Sequence, residues 1–416
     1  DPLIQGVHWS WPLLWEAGFA VMQGHDGGFW VHAEDTSYRY KALGVGVAGA
    51  PQSLSFDTES YGPLDANLGS GGLVWRLNTH QGDWRVPAGL YRDWLWQAYN
   101  LAPREAQRRD WFEKITFAVS WCHGDPDLLD ALATQVPPER TLIHLPQWRC
   151  FGYDENYPDF TPSDAARAFV AKGRSMGFHV LPHCNAVDMD PTHPAYAYLQ
   201  DFAYRDLVHR GLLGWGYESG KGVLSVPNSH ASLRENRRRK VMVKIHPGLS
   251  IWRSILGEEI RASLAQLDTD AVFIDVTLCS FNIHNALVEN MSTTEGMHRL
   301  IDHIASLNNG LVVAGEGLNE ITMQGLSFAQ AHLFNSHQAT CPGLERAGGC
   351  PVNAFLFGKL CRTFGYSGLS GKTAEEQLRS RVHVSLGAIP TITGLGPAEV
   401  RNPSPTVKSL FEMANA

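Results

Sequence analysis

From about residue 111 onward, short apolar runs alternate with amphipathic helical periods, and this alternation restricts the fold more than any other feature of the chain. Candidate strands are KITFAVSW (114–121), TLIHLPQW (141–148), FHVLPHCN (178–185), AVFIDV (271–276), LVVAGEG (311–317), AHLFNSH (331–337) and AIPTITG (388–394). Near-continuous apolar runs of this length suit strands covered on both faces, as parallel strands are. Good helical patterns separate them. TPSDAARAFVAKGRSMGF carries Pro162 near its start, and LSIWRSILGEEIRASLAQL places Ile251, Ile255, Ile260 and Leu264 on one broad face. Ser292 with Glu295, and Thr373 with Glu376, have capping-box spacing. The series predicts an α/β fold, a (β/α)8 TIM barrel over 111–416, with an eighth strand hidden within 351–370. The span 186–248 is too long for a simple loop and is expected to form an elaborated excursion after the third strand.

Residues 1–85 read differently. GGFWVHAED, ALGVGVAG, SLSFDTES and GGLVWRLNTH are short alternating runs cut by Gly, Asn and Asp, which predicts an antiparallel β-sandwich region ahead of the barrel. A linking helix over 86–110 is expected from DWRVPAGLYRDWLWQAYNL (83–101).

Composition narrows the function. The net charge of −8 argues against a protein that tracks nucleic-acid phosphates, and the basic run RENRRRK (234–240) reads as a solvated face. No apolar run approaches the roughly 20 residues of a membrane span, so no membrane partner is expected. Seven cysteines, an odd number without a CxxC pair, form neither a disulfide framework nor a zinc pattern. A Cys341–Cys350 bridge would fit an exported protein; the sequence is compatible with a secreted or periplasmic location and with a cytoplasmic one. Thirteen tryptophans offer the flat apolar faces that sugar sites use.

The C-terminal ends of barrel strands face the mouth where such folds place their chemistry. That rule selects Trp148, Asn185, Asp275, Glu316 and His337, with His183 close by. Asp275 and Glu316 end consecutive strands, and a carboxylate ending a buried apolar run needs a reason. Cleaving a glycosidic bond supplies one, since it takes a carboxylate nucleophile and a carboxylic acid that protonates the leaving oxygen. On this reading Asp275 is the nucleophile and Glu316 the general acid/base. Glu316 is then expected to hold its proton above the ordinary carboxyl range, helped by the Asp275 charge. Trp148, His183, Asn185 and His337 are expected to bind the sugar, and no cofactor or metal is expected. Gly315 and Gly317 would let the chain bend beside the acid.

The layout resembles the glycoside hydrolases whose barrel carries an Asp nucleophile after strand four and a Glu acid/base after strand five. These include the α-amylase superfamily and the endo-α-N-acetylgalactosaminidase family with its uncharacterised relatives. The sandwich joined to the barrel by GLYRDWLWQAY is similar to the second group, and the long segment after strand three is similar to that of amylases. LFNSHQ (333–338) loosely resembles the amylase His-Asp segment, with Gln338 in place of the Asp; Phe273 stands where amylases have Arg. The resemblance implies a retaining hydrolase of α-linked sugars, of galactose type, rather than an ordinary α-glucan hydrolase.

Two rivals remain. HVLPHCNAVDMD offers His179, His183, Cys184 and Asp188 to a barrel metallohydrolase, although no His-x-His opens the first strand. A non-catalytic carbohydrate-binding barrel would be expected to lose one carboxylate of the pair, and both are present.

Overall fold

The computed structural model describes residues 7–13, 15–46, 53–58, 73–207, 210–216, 223–226, 241–280, 282–331 and 350–416. Ahead of the barrel lie two three-stranded antiparallel sheets. One joins β1 (Val7–Ser10), β4 (Lys41–Val45) and β5 (Leu54–Thr58); the other joins β2 (Phe19–Gln23), β3 (Gly27–Glu34) and β6 (Val74–Gln81). They meet through aromatic rings. Trp15 stacks on Trp75 at 5.8 Å between centroids, and Phe56 lies 5.0 Å from the same indole. The helix Arg85–Ala98 follows and buries Pro87, Ala88, Tyr91 and Leu95.

The barrel is an eight-stranded parallel sheet. In chain order its strands are β7 (Phe117–Ser120), β8 (Thr141–Leu145), β9 (His179–Asn185), β14 (Ala271–Asp275), β15 (Val312–Glu316), β16 (Phe328–Ala331), β17 (Arg362–Gly365) and β18 (Thr391–Thr393). A parallel bridge between Phe364 and Ile389 links β17 to the start of β18 and closes the ring. The strand expected within 351–370 is therefore β17. The sixth strand starts earlier than AHLFNSH suggests, and residues 332–337 lie outside the described residues. The expected Cys341–Cys350 bridge is in the same position, because Cys341 is not described.

Alternation along these strands sorts side chains into two layers. Ala118, Leu142, Leu181, Ala271, Phe273, Ala314, Phe328 and Phe364 fill the barrel interior. Outward residues such as Val119, Ile143, Val272 and Val313 join the larger core under the helices. The helix Asp164–Met176 starts on a Ser163 side-chain cap, Thr293–Ala305 on Ser292, and Ala374–Ser385 on a full Thr373–Glu376 capping box. In Ser250–Leu267 the buried stripe runs through Trp252, Leu256, Ile260 and Leu264, whereas Ile251 is exposed. Trp252 takes the inward place that the spacing had given to Ile251, because its indole N–H reaches the Ala186 carbonyl at 3.0 Å.

The excursion after β9 is a small antiparallel sheet in the order β10 (Asp188–Met189), β13 (Val241–Lys244), β11 (Leu212–Gly216), β12 (Val223–Val226). No helix among the described residues is long and apolar enough to cross a membrane.

Candidate active site

Pairing register assembles the site. Asp275 lies opposite Asn185, Ile274 opposite Gly315, and Glu316 opposite Gln330. Asp275 and Glu316 therefore end adjacent parallel strands at the same height, and both side chains surmount the apolar interior layer. Neighbouring strands are about 4.8 Å apart, which puts the two carboxyl groups within mutual reach. Only 8% of Asp275 and 7% of Glu316 is exposed.

The turn after β14 holds both groups. Val276 adopts φ +63°, a left-handed conformation that is unfavourable for a β-branched residue by about 1–3 kcal/mol. The turn points its N–H at Glu316 Oε2, 3.0 Å away. Oε2 accepts this N–H. Thr277 clamps the same backbone: its Oγ1 donates to the Glu316 carbonyl at 2.7 Å and accepts from the Glu316 N–H at 2.9 Å. Gly317 has φ +75°, as expected of a residue that turns the chain here. Gly315 serves a different need. A Cβ there would sit 2.7 Å from Leu326 Cδ1 and 3.0 Å from Thr277 Oγ1, so it permits close packing.

Around Asp275, the Tyr153 hydroxyl donates to Oδ2 at 3.3 Å, and His183 Nε2 stands 3.5 Å from the same oxygen. Burial, followed by the Asp275 charge, holds the Tyr153 phenol well above its usual range, and burial with Glu316 and Asp275 does the same for Tyr366. Both phenols stay neutral donors. Trp121 forms the adjoining wall, its ring centroid 5.5 Å from Tyr153, 5.8 Å from Tyr366 and 6.0 Å from His183. Its indole Nε1, Gln330 Oε1 and Asp154 Oδ1 are buried without hydrogen-bond partners. Burial, then Asp188 and Asp275, pushes the Asp154 carboxyl well above its ordinary value, which favours its protonated form. Lys244 counters this acidity: its ammonium lies 2.7 Å from Asp188 Oδ1, with both side chains buried. Burial alone would lower Lys244, yet Asp188 and Asp275 hold it above its usual value and charged.

The expected sugar-binding residues take different places. His183 is in the site. Asn185 is 1% exposed; its Oδ1 accepts from the Val187 and Asp188 N–H groups, and its Nδ2 donates to Asp188 at 3.2 Å. It shapes the turn that carries Asp188. Trp148 lies three residues beyond the end of β8, packed near Phe160, with its indole N–H on the His183 carbonyl at 2.7 Å. It thus supports the end of β9 from the outer layer. His337 lies outside the described residues. His179 and His183 stand at opposite ends of β9, with His179 stacked on Trp111 at 3.9 Å, so they do not converge on one ion.

Sequence reasoning missed Trp121, His144, Tyr153, Asp154, Lys244, Gln330 and Tyr366. The strand-end rule would have selected His144 and Gln330 had β8 been ended at Leu145 and β16 started at Phe328. Lys244 arrives from a sheet that no barrel rule describes.

Fold and site together define a (β/α)8-barrel protein with two in-register carboxyl groups at the C-terminal mouth, inside a ring of aromatic and hydrogen-bonding side chains. The chain belongs to the family described as a domain of unknown function, DUF6259, whose model matches residues 73–366. No curated protein matches it. Among solved structures it is similar to the α-N-acetylgalactosaminidase NagBb from Bifidobacterium bifidum in complex with Gal-NHAc-DNJ, at 12% identity and TM-score 0.65, over 96% of this chain and 67% of that one. It is also similar to the α-galactosidase TtGalA from Thermus thermophilus in complex with stachyose, at 13% identity and TM-score 0.58, over 97% and 80% of the two chains. A third match is the GH36 α-galactosidase AgaA from Geobacillus stearothermophilus, at 12% identity and TM-score 0.55, over 100% and 58%. At these identities the likeness establishes a shared fold.

Proposed function

We propose that this protein is a glycoside hydrolase that cleaves an α-linked sugar of galactose type by a retaining double displacement. The observation that carries the reading is the register of Asp275 and Glu316 on adjacent strands, with donors on each carboxyl group. The names of the structural neighbours, an α-N-acetylgalactosaminidase and two α-galactosidases, support the galactose-type substrate.

In the first step a carboxylate oxygen of Asp275 bonds to the anomeric carbon while Glu316 gives its proton to the departing glycosidic oxygen. The aglycone leaves as an alcohol and a glycosyl ester remains on Asp275. In the second step Glu316, now a carboxylate, takes a proton from water. The water oxygen bonds to the anomeric carbon, Asp275 departs as a carboxylate, and two inversions restore the α configuration. Tyr153 steadies Asp275 in both steps. Trp121, Tyr366 and Asp154 offer a ring face and hydrogen bonds to sugar hydroxyls.

A panel of aryl α- and β-glycosides, including α-galactoside and N-acetyl-α-galactosaminide, tests the reading, with the first-formed product anomer followed by NMR. Turnover of an α-glycoside with the α-sugar appearing first is expected. A β-sugar first would refute retention, and tight sugar binding without turnover of any glycoside would make the barrel a binding protein.

A further inference from the structure

His144 occupies the last inward position of β8 and His183 the inward position of β9 just before Asn185, and both are buried, at 0% and 1% exposure. The backbone N–H of Trp121 points at His144 Nδ1 from 3.2 Å, and Gln330 Nε2 approaches the same nitrogen at 3.2 Å. A backbone N–H can only donate, so His144 Nδ1 carries a lone pair. Neutral imidazole has one N–H, and here it must be on Nε2. That atom lies 2.9 Å from His183 Nδ1, which therefore accepts. By the same count His183 carries its proton on Nε2, the atom 3.5 Å from Asp275 Oδ2. This last contact is too long or misaligned to be a hydrogen bond, and His183 Nε2 has no other partner. A shift of a few tenths of an ångström completes it. Rings fix the geometry: Phe273 lies 4.3 Å from the His144 centroid and 5.4 Å from that of His183.

We propose that Trp121 N–H, His144 and His183 form a one-directional hydrogen-bond chain that presents an N–H to Asp275 and positions it as a carboxylate. The proposal rests on Asp275 being the nucleophile. Asp275 gains most from that N–H when it leaves in the second step, because its negative charge returns there. His144 is a positioning residue, acting through His183. Burial, followed by the neighbouring His183, holds the His144 imidazole well below its ordinary value, which favours the neutral ring that this direction requires. Other ionisable groups around Asp275 are Glu316 from β15, Tyr153, Asp154 and Tyr157 from the loop after β8, Cys279 after β14, Asp188 and Lys244 from the excursion sheet, and Tyr366 after β17. They are common to every His144 variant, so differences between variants report the chain.

Two readouts test it. In proton–nitrogen spectra of the wild-type protein with isotope-labelled histidine, both rings should carry their proton on Nε2 and none on Nδ1. A proton on Nδ1 of either ring overturns the proposal, whatever the protein catalyses. With an activated aryl α-galactoside, His144→Phe should lower kcat about tenfold and produce a burst of aryl alcohol. It should also raise the acid limb of kcat/KM by about one pH unit. His144→Gln keeps an amide N–H facing His183 and should stay within about threefold of the parent, with the limb unmoved. Equal losses in both variants with an unmoved acid limb would make His144 a packing residue and overturn the proposal, as would parental kinetics in His144→Phe. If the wild type turns over no aryl glycoside, the hydrolase reading falls on its own. The spectra then still decide the chain, and Asp275→Asn should shift the His183 Nε2 proton while leaving the His144 ring unchanged.

Discussion

Replacing Lys244 by Met leaves a buried carboxylate without its cation, and the structure fixes the size of the effect. Lys244 Nζ and Asp188 Oδ1 are 2.7 Å apart, with side-chain exposures of 0% and 2%. Removing one partner of such a pair typically costs about 3–5 kcal/mol. Protonating the orphaned acid limits the loss to about 1.4 kcal/mol for each unit by which its pKa must rise, which near neutrality comes to about 4 kcal/mol. Asn185 Nδ2, 3.2 Å from Asp188 Oδ2, remains as a donor and lowers that ceiling. We therefore expect Lys244→Met to lose about 3 kcal/mol in urea unfolding at neutral pH. Burial already pushes the folded-state Asp188 carboxyl up, and without Lys244 it rises further. A carboxyl raised in the folded state destabilises above its unfolded value, and the penalty fades as pH falls through the folded value. The Lys244→Met deficit should accordingly shrink in mildly acidic solution. Asp188→Asn added to Lys244→Met should recover about 2 kcal/mol. A deficit below about 1 kcal/mol, or a double variant no better than the single, would show that the pair does not carry this energy.

Other perturbations reach the site by separate routes. Glu316→Gln should remove the basic limb of the pH–rate profile and harm substrates with poor leaving groups far more than activated aryl glycosides; equal loss on both, with the limb intact, would assign the proton to another group. Glu320, four residues later and 2% exposed, accepts from Trp11 Nε1 at 2.9 Å, Gly18 N–H at 2.8 Å and the Tyr91 hydroxyl. Glu320→Ala leaves those donors unpaired and should cost about 3 kcal/mol or more by denaturant titration, with kcat falling as the Glu316 turn loosens. Gly317→Ala forces a side chain into φ +75°, with its Cβ 3.2 Å from Leu278 Cβ, and should cost about 1–2 kcal/mol in the same assay.

The parts of this molecule that were legible in the sequence follow from local periodicity. AVFID and LVVAGE are buried on both faces, so their apolar runs and terminal carboxyl groups mark strand, register and mouth together. Ser292 and Thr373 mark helix starts because capping is a short-range contact. Trp148 reads as a strand end because the apolar Trp lies only three residues past TLIHL, although β8 stops at Leu145 and His144 is the inward residue. The start of β16 is hidden in the sequence because FAQA is only four residues long and carries Gln330 at an inward position, where an apolar residue is the norm. Tyr153, Asp154 and Lys244 come from loops and from the excursion sheet, and only tertiary folding brings them to Asp275.

In the proposed mechanism Asp275 bonds to the sugar, and chemical rescue of Asp275→Ala puts that bond to the test. The variant should fold as the parent does and lose turnover of an activated aryl α-galactoside by several orders of magnitude. Added azide should then enter the space left by the carboxylate, restore release of the aryl alcohol and give the β-glycosyl azide. Near-parental activity in the folded variant, or rescue that yields only the α-azide, would show that Asp275 does not form the bond.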